Sequence, residues 1–185
     1  EGFEKLQTAG KVRAFGVSSG DFEYIRAFSQ NPKCATLQID YSILNRNPEI
    51  EILDYCKAHN IGVIVRGALA MGLLTGKFTE NVSFPDDDFR HKWLTDRRQK
   101  AAFKKDLAKV EALRAVVRPG RTLAQAALQF VLKHDAVTTV IPGARTPEQV
   151  LANIATAKSP ALSADDMALI DRVTPPGGGR KIWPA

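Results

Sequence analysis

Ile61-Gly62-Val63-Ile64-Val65 is the stretch on which the fold turns. Four of its five residues are β-branched and none is polar, and it lies between His59-Asn60 and a glycine-rich segment that opens at Gly67. A short unbroken apolar run bounded by turn residues reads as a strand buried on both faces, the kind found in parallel sheets. Upstream, Asn47-Pro48-Glu49 offers a cap, a proline at the first helical position and an acid near the positive end of the dipole, so a helix is expected from there to His59-Asn60. Before it, Ala35–Ile39 reads as a strand. Asp21–Gln30 reads as a helix with Phe22, Ile25 and Phe28 at helical spacing, closed by Asn31-Pro32, and Val12–Val17 reads as a further strand.

Downstream, residues 67–98 show no clear period, and 76–98 is expected as a long loop, a length that inside a compact domain is usually functional. Gln99–Val117 reads as a helix with Phe103, Leu107, Val110 and Leu113 on one stripe, broken by Arg118-Pro119-Gly120. Thr122 and Gln125 form a capping box for a helix running to His134, and Thr138–Ile141 reads as the fourth strand. Thr146 and Gln149 suggest another capping box, opening a helix to about Ala157, and Ser163–Asp166 opens a last short one. Residues 175–185 are expected as an irregular tail.

This alternation calls for an α/β fold with a parallel sheet. Four βα units are half of a (β/α)8 barrel of the TIM type; an open doubly wound sheet is the other option. The dinucleotide fingerprint G-x-G-x-x-G follows no strand here, and Gly16 to Gly20 has the wrong spacing. A single domain over 1–185 is expected.

The 185 residues are 44% hydrophobic and 25% charged, which suits a globular domain and excludes a disordered chain. Apolar runs are too short and too interrupted for a membrane span. Cys34 and Cys56 lie in unrelated segments and read as two buried thiols in a reducing cytoplasm. His59, His91 and His134 lack metal-ligand spacing with each other or with the cysteines, so no metal site is expected. The net charge of +6 is concentrated: residues 90–121 hold eleven Lys/Arg against three Asp/Glu. Interleaved aromatics and nucleic-acid motifs are missing there, so a solvated helix with local ion pairs is favoured over a nucleic-acid partner. The chain opens without Met inside a helical pattern, and reading it as a piece of a longer polypeptide is an expectation.

Four strand ends, in order, resemble aldo-keto reductases. Gly10-Lys11-Val12-Arg13-Ala14-Phe15-Gly16-Val17-Ser18 is similar to that family's fifth strand, and Leu37-Gln38-Ile39-Asp40-Tyr41-Ser42-Ile43-Leu44-Asn45-Arg46 to its sixth. Gly67-Ala68-Leu69-Ala70-Met71-Gly72-Leu73-Leu74-Thr75-Gly76-Lys77 resembles the segment after the seventh, and the run from Val140 through Gly143 and Arg145 to Asn153 resembles the eighth strand with its cofactor helix. The long loop points to the subgroup related to potassium-channel β-subunits and bacterial reductases.

The resemblance implies an NADP(H)-dependent reduction of carbonyls to alcohols on a small-molecule substrate. It implies that Ser18 and Gln38 hold the nicotinamide amide, with Ser19 a departure from the usual Asn or Arg. Arg66 is implied among the cofactor-binding residues, and Gly67, Leu69, Ala70, Gly72, Leu73 and Lys77 around the pyrophosphate, where glycines offer backbone N–H groups and close approach. Gly143 and Arg145 precede a helix N-terminus, a natural anion site. Arg145 then fits a 2′-phosphate, and Gln149 and Asn153, four residues apart, fit the adenine edge.

The family carries its catalytic Tyr, Lys, Asp and His on its first four strands, which have no counterpart here, so no catalytic residue is assigned. The alternative is a non-catalytic nucleotide-binding or interaction module. The two outer strands would expose unpaired edges, which a missing N-terminal half or self-association would cover.

Overall fold

The computed structural model describes residues 1–182. Its elements run α1 (Gly2–Thr8), β1 (Phe15–Ser18), α2 (Phe22–Ser29), β2 (Cys34–Asp40), α3 (Ile52–Ala58), β3 (Gly62–Arg66), α4 (Lys92–Thr95), α5 (Arg97–Leu113), α6 (Leu123–Leu132), β4 (Val137–Val140), α7 (Pro147–Ile154) and α8 (Ala164–Val173). The four strands form one parallel sheet in the order β1-β2-β3-β4. Sequential strands that are parallel and adjacent require a crossover each time, and the helices between them supply it. The result is an α/β sheet of four βα units, as the alternation predicts.

Period-two alternation separates the two faces of this sheet. Leu37, Ile39, Val63 and Val65 are fully buried and join Ile25, Leu53, Cys56, Leu128 and Val131 in one core beneath the helices. The register then places Ser18, Gln38, Ile64 and Thr139 in one row on the opposite face. That face is half-open: Gly62, Ile64 and Arg66 are only partly buried. The expectation that Ile61–Val65 is buried on both sides is therefore corrected. One side packs under helices, and the other faces the space that further strands of a barrel would enclose.

Other boundaries differ from the sequence reading for identifiable reasons. β1 begins at Phe15, not Val12, because Phe15 is the first residue with a partner on β2, at Cys34. The helix expected from Asn47 is split. Asn47–Glu49 forms a 3-10 turn and α3 starts only at Ile52, leaving Ile50 exposed. The buried Arg46 guanidinium donates to Glu49 at 2.8 Å and the Tyr41 hydroxyl donates to the same carboxylate at 2.6 Å, which holds that turn against continuing as helix. Segment 76–98, expected as loop, contains a 3-10 turn at Phe89–His91 and α4. Trp93 nucleates it: its ring meets Phe84 and Phe89 edge-on and stacks on Phe103 of α5. The capping box at Thr122/Gln125 forms, as does the one at Ser163/Asp166. At α7 only half of the expected box is present. Thr146 accepts from the Gln149 backbone, but the Gln149 side chain accepts from Arg145 N instead of returning to Thr146.

The tail beyond Pro175 is irregular but anchored as far as it is described. Gly179 bridges Asn45, Gly178 O accepts from Arg46 N, and Arg180 pairs with the buried Asp106. Residues 183–185 of that expected tail lie outside the described residues. No helix among the described residues is long and apolar enough to cross a membrane.

Part of the basic cluster at 90–121 is structural. Arg121 is fully buried, donates to Asp166 at 2.6 Å and to the carbonyls of Val116, Pro160 and Ala161. Arg118 takes the other oxygen of Asp166. These bonds tie the turn after α5 to the start of α8. Burial alone would raise the Asp166 carboxyl, but the hydrogen bonds from Arg121 and the Ser163 backbone, with both positive charges, hold it below the usual carboxylate range.

Removing one member of such a pair leaves a buried charge poorly compensated. Arg121→Met is expected to lower the unfolding free energy by about 3 kcal/mol in denaturant titration. Because the Asp166 carboxyl sits lower in the folded than in the unfolded chain, its stabilisation is present at neutral pH and is lost as pH falls through the acidic range.

Candidate cofactor site

All four strands point the same way, so their C-terminal ends share one edge, where α/β folds place their sites. Ser18 closes β1, and its register partner is Gln38 on β2. Two residues further along, Asp40 pairs in register with Arg66, the last residue of β3. Ile141 N donates to Val65 O, extending the β3–β4 contact so that Pro142-Gly143 leaves the sheet beside Arg66-Gly67. Ser18, Gln38, Arg66, Gly67 and Gly143 are thus brought to one edge by register alone. Ser19 lies just beyond β1, where its hydroxyl accepts from Asp21 N at the start of α2.

The glycine-rich loop has a shape of its own. Gly67, Ala70, Met71, Gly72 and Gly76 all adopt positive φ. Amides of Ala70, Gly72, Leu74 and Gly76 donate to carbonyls within the loop. Those four N–H groups are spent on the loop's fold, which corrects the expectation that the whole stretch presents its amides to a phosphate. Ala70 and Leu73 are buried in the core, so what they offer a ligand is main chain, not side chain. Leu69 is partly buried against the same core. Lys77 is exposed, with its backbone N–H on the Thr75 hydroxyl.

Gly67 is required for two reasons. Its φ is +68°, and a Cβ there would lie 2.3 Å from the Asp40 Oδ2. Gly143 differs: a Cβ would meet nothing within 4 Å. The absent side chain there leaves the main chain bare just before the N-terminus of α7, as close approach to an anion demands. Arg145, Gln149 and Asn153 follow on α7 or immediately before it. The Arg145 N–H bonds the Gln149 Oε1 at 2.7 Å, so the oxygen of that amide is engaged within the protein.

A strap formed by residues 78–93 packs beside the glycine loop, against Met71 and Gly72. Arg90 donates to Asp88 through Nε and Nη2, lies over the rings of Phe78, Phe84 and Phe89, and reaches the Met71 carbonyl at 3.4 Å. The Arg90 hydrogen bonds draw the Asp88 carboxyl down to about 2, and the charge of Arg145 adds to that pull. The glycine loop, the strap and the start of α7 therefore form one neighbourhood. The acidic run Asp86-Asp87-Asp88 and the Phe spacing around it were the available signal, legible only once Trp93 is known to gather those rings.

The sequence reading also missed Asp40 and Asn45 as site residues. Asp40 is buried, and Asn45 Nδ2 donates to its Oδ1 at 2.7 Å. A cleft of about 320 Å³ opens at this edge, lined among others by Gly20, Asp40, Asn45, Arg66 and Lys181. A larger, mostly apolar hollow between α1 and α2 lies away from these strand ends and takes no part. Two of the three tyrosines are held in other bonds, and the third lies on the surface of α2. Tyr41 is buried with its hydroxyl on Glu49 and shifted upward by burial and that bond, Tyr55 pairs with Ser29, and Tyr24 is exposed on α2.

Comparison with known proteins agrees with this architecture. The family model described as "Aldo/keto reductase family" matches residues 1–175. Aldo-keto reductase YhdN of Bacillus subtilis is 34% identical over 152 residues, covering 81% of this chain and 45% of its own length. The structure of a glycerol dehydrogenase from Gluconobacter oxydans superposes with a TM-score of 0.78 at 29% identity, over 99% of this chain and 55% of that one. An aldo-keto reductase from Klebsiella pneumoniae in complex with NADPH gives a TM-score of 0.67 at 27% identity, over 96% and 53%. The chain spans about half the length of these relatives.

Gly67→Ala would meet both the φ and the Asp40 carboxylate. It is expected to cost about 2 kcal/mol and to lower the thermal midpoint by roughly 4–8 °C, checked by a circular-dichroism melt.

Proposed function

Because the chain belongs to the aldo/keto reductase family, we propose that it supplies the dinucleotide-gripping half of an NADP(H)-dependent reductase of small carbonyl compounds. The observation that carries this reading is the convergence of Ser18, Gln38, Gly67 and Gly143 on one edge of a parallel sheet, with Arg145 at the start of α7. In this proposal the Ser18 hydroxyl and the Gln38 amide bind the nicotinamide carboxamide. The Gly67–Gly76 loop lies along the pyrophosphate with Lys77 contributing charge. Arg145 takes the 2′-phosphate. The Gln149 nitrogen and Asn153 meet the adenine edge. When bound, NADPH supplies the hydride.

The proton that completes alcohol formation has no donor in this reading of the chain, since Tyr41 and Tyr55 are held in other bonds. In the whole protein, general acid catalysis belongs to a second wall of the barrel. Exposed apolar side chains at both flanks support such a wall: Phe3 and Leu6 on α1, and Ile141, Val150, Leu151 and Ile154 around β4 and α7. It is supplied by the same polypeptide or by another. The tyrosine arrangement is also what favours the second reading, a nucleotide-binding module without turnover. The two buried, unbridged thiols at Cys34 and Cys56 suit a reducing, cytoplasmic setting.

Titration with NADPH, followed by its fluorescence, tests the binding role. Arg145→Ala is expected to weaken NADPH at least tenfold while leaving NADH within about twofold, because only the former carries the 2′-phosphate and a charged hydrogen bond is worth about 1.5–3 kcal/mol. Equal losses for both would reject the assignment. Carbonyl-dependent NADPH oxidation after adding a complementary N-terminal half separates the reductase from the non-catalytic module.

A further inference from the structure

Part of the basic segment 90–121 is not consumed by the fold. Its three acids are all engaged: Asp96 caps α5 by accepting from Gln99 N, Asp106 is buried against Arg180, and Glu111 pairs with Arg114. Of its cations, Arg90 pairs with Asp88, Lys104 with Glu80, and both Arg118 and Arg121 with Asp166. Lys92, Arg97, Arg98, Lys100 and Lys105 are exposed and make no ion pair among the described residues. On α5 these side chains occupy the arc opposite Phe103, Val110 and Leu113, with Arg97 and Lys100 in one row and Arg98 and Lys105 in the next. Like charges three or four residues apart disfavour a helix, and cations in its first turn oppose its dipole. α5 opens Arg97-Arg98-Gln99-Lys100 with no acid in that turn. The face therefore costs local stability and returns no ion pair inside the described chain.

Its position gives it a use. α5 packs against the glycine loop, and Arg114, just past its end, donates to the Gly76 carbonyl at 2.9 Å. Lys104 pairs with Glu80, shortly beyond Lys77. Trp93 of α4 stacks on Phe103, and the strap that ends there reaches the Met71 carbonyl through Arg90. Arg145 is near enough for its charge to act on Asp88 of the same strap. Positive charge thus continues from α5 along the strap to the loop and α7. Trp93 and Phe103 both turn into the core, so they offer nucleic-acid bases no stacking platform. That favours a small phosphorylated ligand.

We propose that the exposed cations of α4 and α5 are an electrostatic guide, which draws the phosphates of the dinucleotide toward the glycine loop and Arg145 without touching the bound cofactor. This rests on the dinucleotide reading given above. A surface field of one sign raises the local concentration of an oppositely charged ligand and speeds its capture. It acts over a Debye length, about 8 Å at physiological salt and about 30 Å at 0.01 M. A guide of this kind changes the association rate and leaves dissociation alone, whereas a cation in contact with the ligand changes dissociation.

Stopped-flow fluorescence with NADPH as the probe tests this on the whole chain. The variant Arg98→Glu/Lys100→Glu/Lys105→Glu is compared with wild type and with Lys5→Glu/Lys11→Glu/Lys33→Glu, which carries the same charge change on exposed residues near the opposite ends of β1 and β2. The first variant is expected to bind about tenfold more slowly at about 0.01 M salt, with its dissociation rate within about twofold of wild type. At about 1 M salt, where the Debye length is about 3 Å, the difference closes. The control variant keeps an association rate within about twofold of wild type. An unchanged association rate at low salt, a loss seen in dissociation instead, or an equal loss in the control overturns the guide. So does a variant that binds NADPH normally but loses affinity for a DNA duplex, which would give the face to nucleic acid. Should the triple reversal fail to fold by circular dichroism, Arg98→Gln/Lys100→Gln/Lys105→Gln decides, with a smaller loss of the same salt dependence expected. Wild type that binds no NADPH overturns the dinucleotide reading along with this inference, whereas normal binding with an unchanged association rate in the variant overturns the guide alone.

Discussion

The parallel pairing of β2 with β3 is the constraint on which the rest depends. Five consecutive register pairs, from Thr36 with Gly62 to Asp40 with Arg66, fix which side chains share a face. A slip of one residue would turn Leu37 and Ile39 out of the core and bring Gln38 in, at a cost of several buried side chains worth about 1.5–3 kcal/mol each. The same register that satisfies the core therefore also places a polar row, and above it a charged row, on the open face. Site geometry here is a by-product of hydrophobic burial on the other side of a thin sheet.

Much of this was legible in the sequence. Each strand was located by its β-branched run, and Thr122, Ser163 and Pro147 marked helix starts that the structure shows within one or two residues. What was not legible depended on partners far along the chain. Arg46 reads as a surface cation in sequence, but in the fold it reaches Asp171 and the Thr174 carbonyl and reshapes the turn at 47–49. The internal hydrogen bonding of the glycine loop likewise escapes motif reading, since glycine spacing announces unusual φ without saying where the amides point. Asp40 shows no role in the sequence alone, because its meaning lies in the Gly67 that passes beside it.

The half-open face and the apolar flanks of α1 and α7 belong together physically. A four-stranded parallel sheet with helices on one side leaves the other side and two edges without cover, and parallel sheets are ordinarily covered on both faces. The burial pattern of β4, with Thr138 and Thr139 exposed, shows the same thing from the strand's side. The chain's length relative to its relatives and its surface thus describe one architecture: a barrel wall whose lumen and seams are exposed.

The close passage of Gly67 under Asp40 carries an evolutionary consequence. Positions 40 and 67 cannot drift separately, because any side chain at 67 collides with the carboxylate, whichever residue follows it in the loop. Among sequences of this type, a branched or bulky residue at 67 should therefore co-occur with a shortened or differently aimed one at 40. The two sites form a single unit of inheritance, though one ends β2 and the other opens the loop after β3.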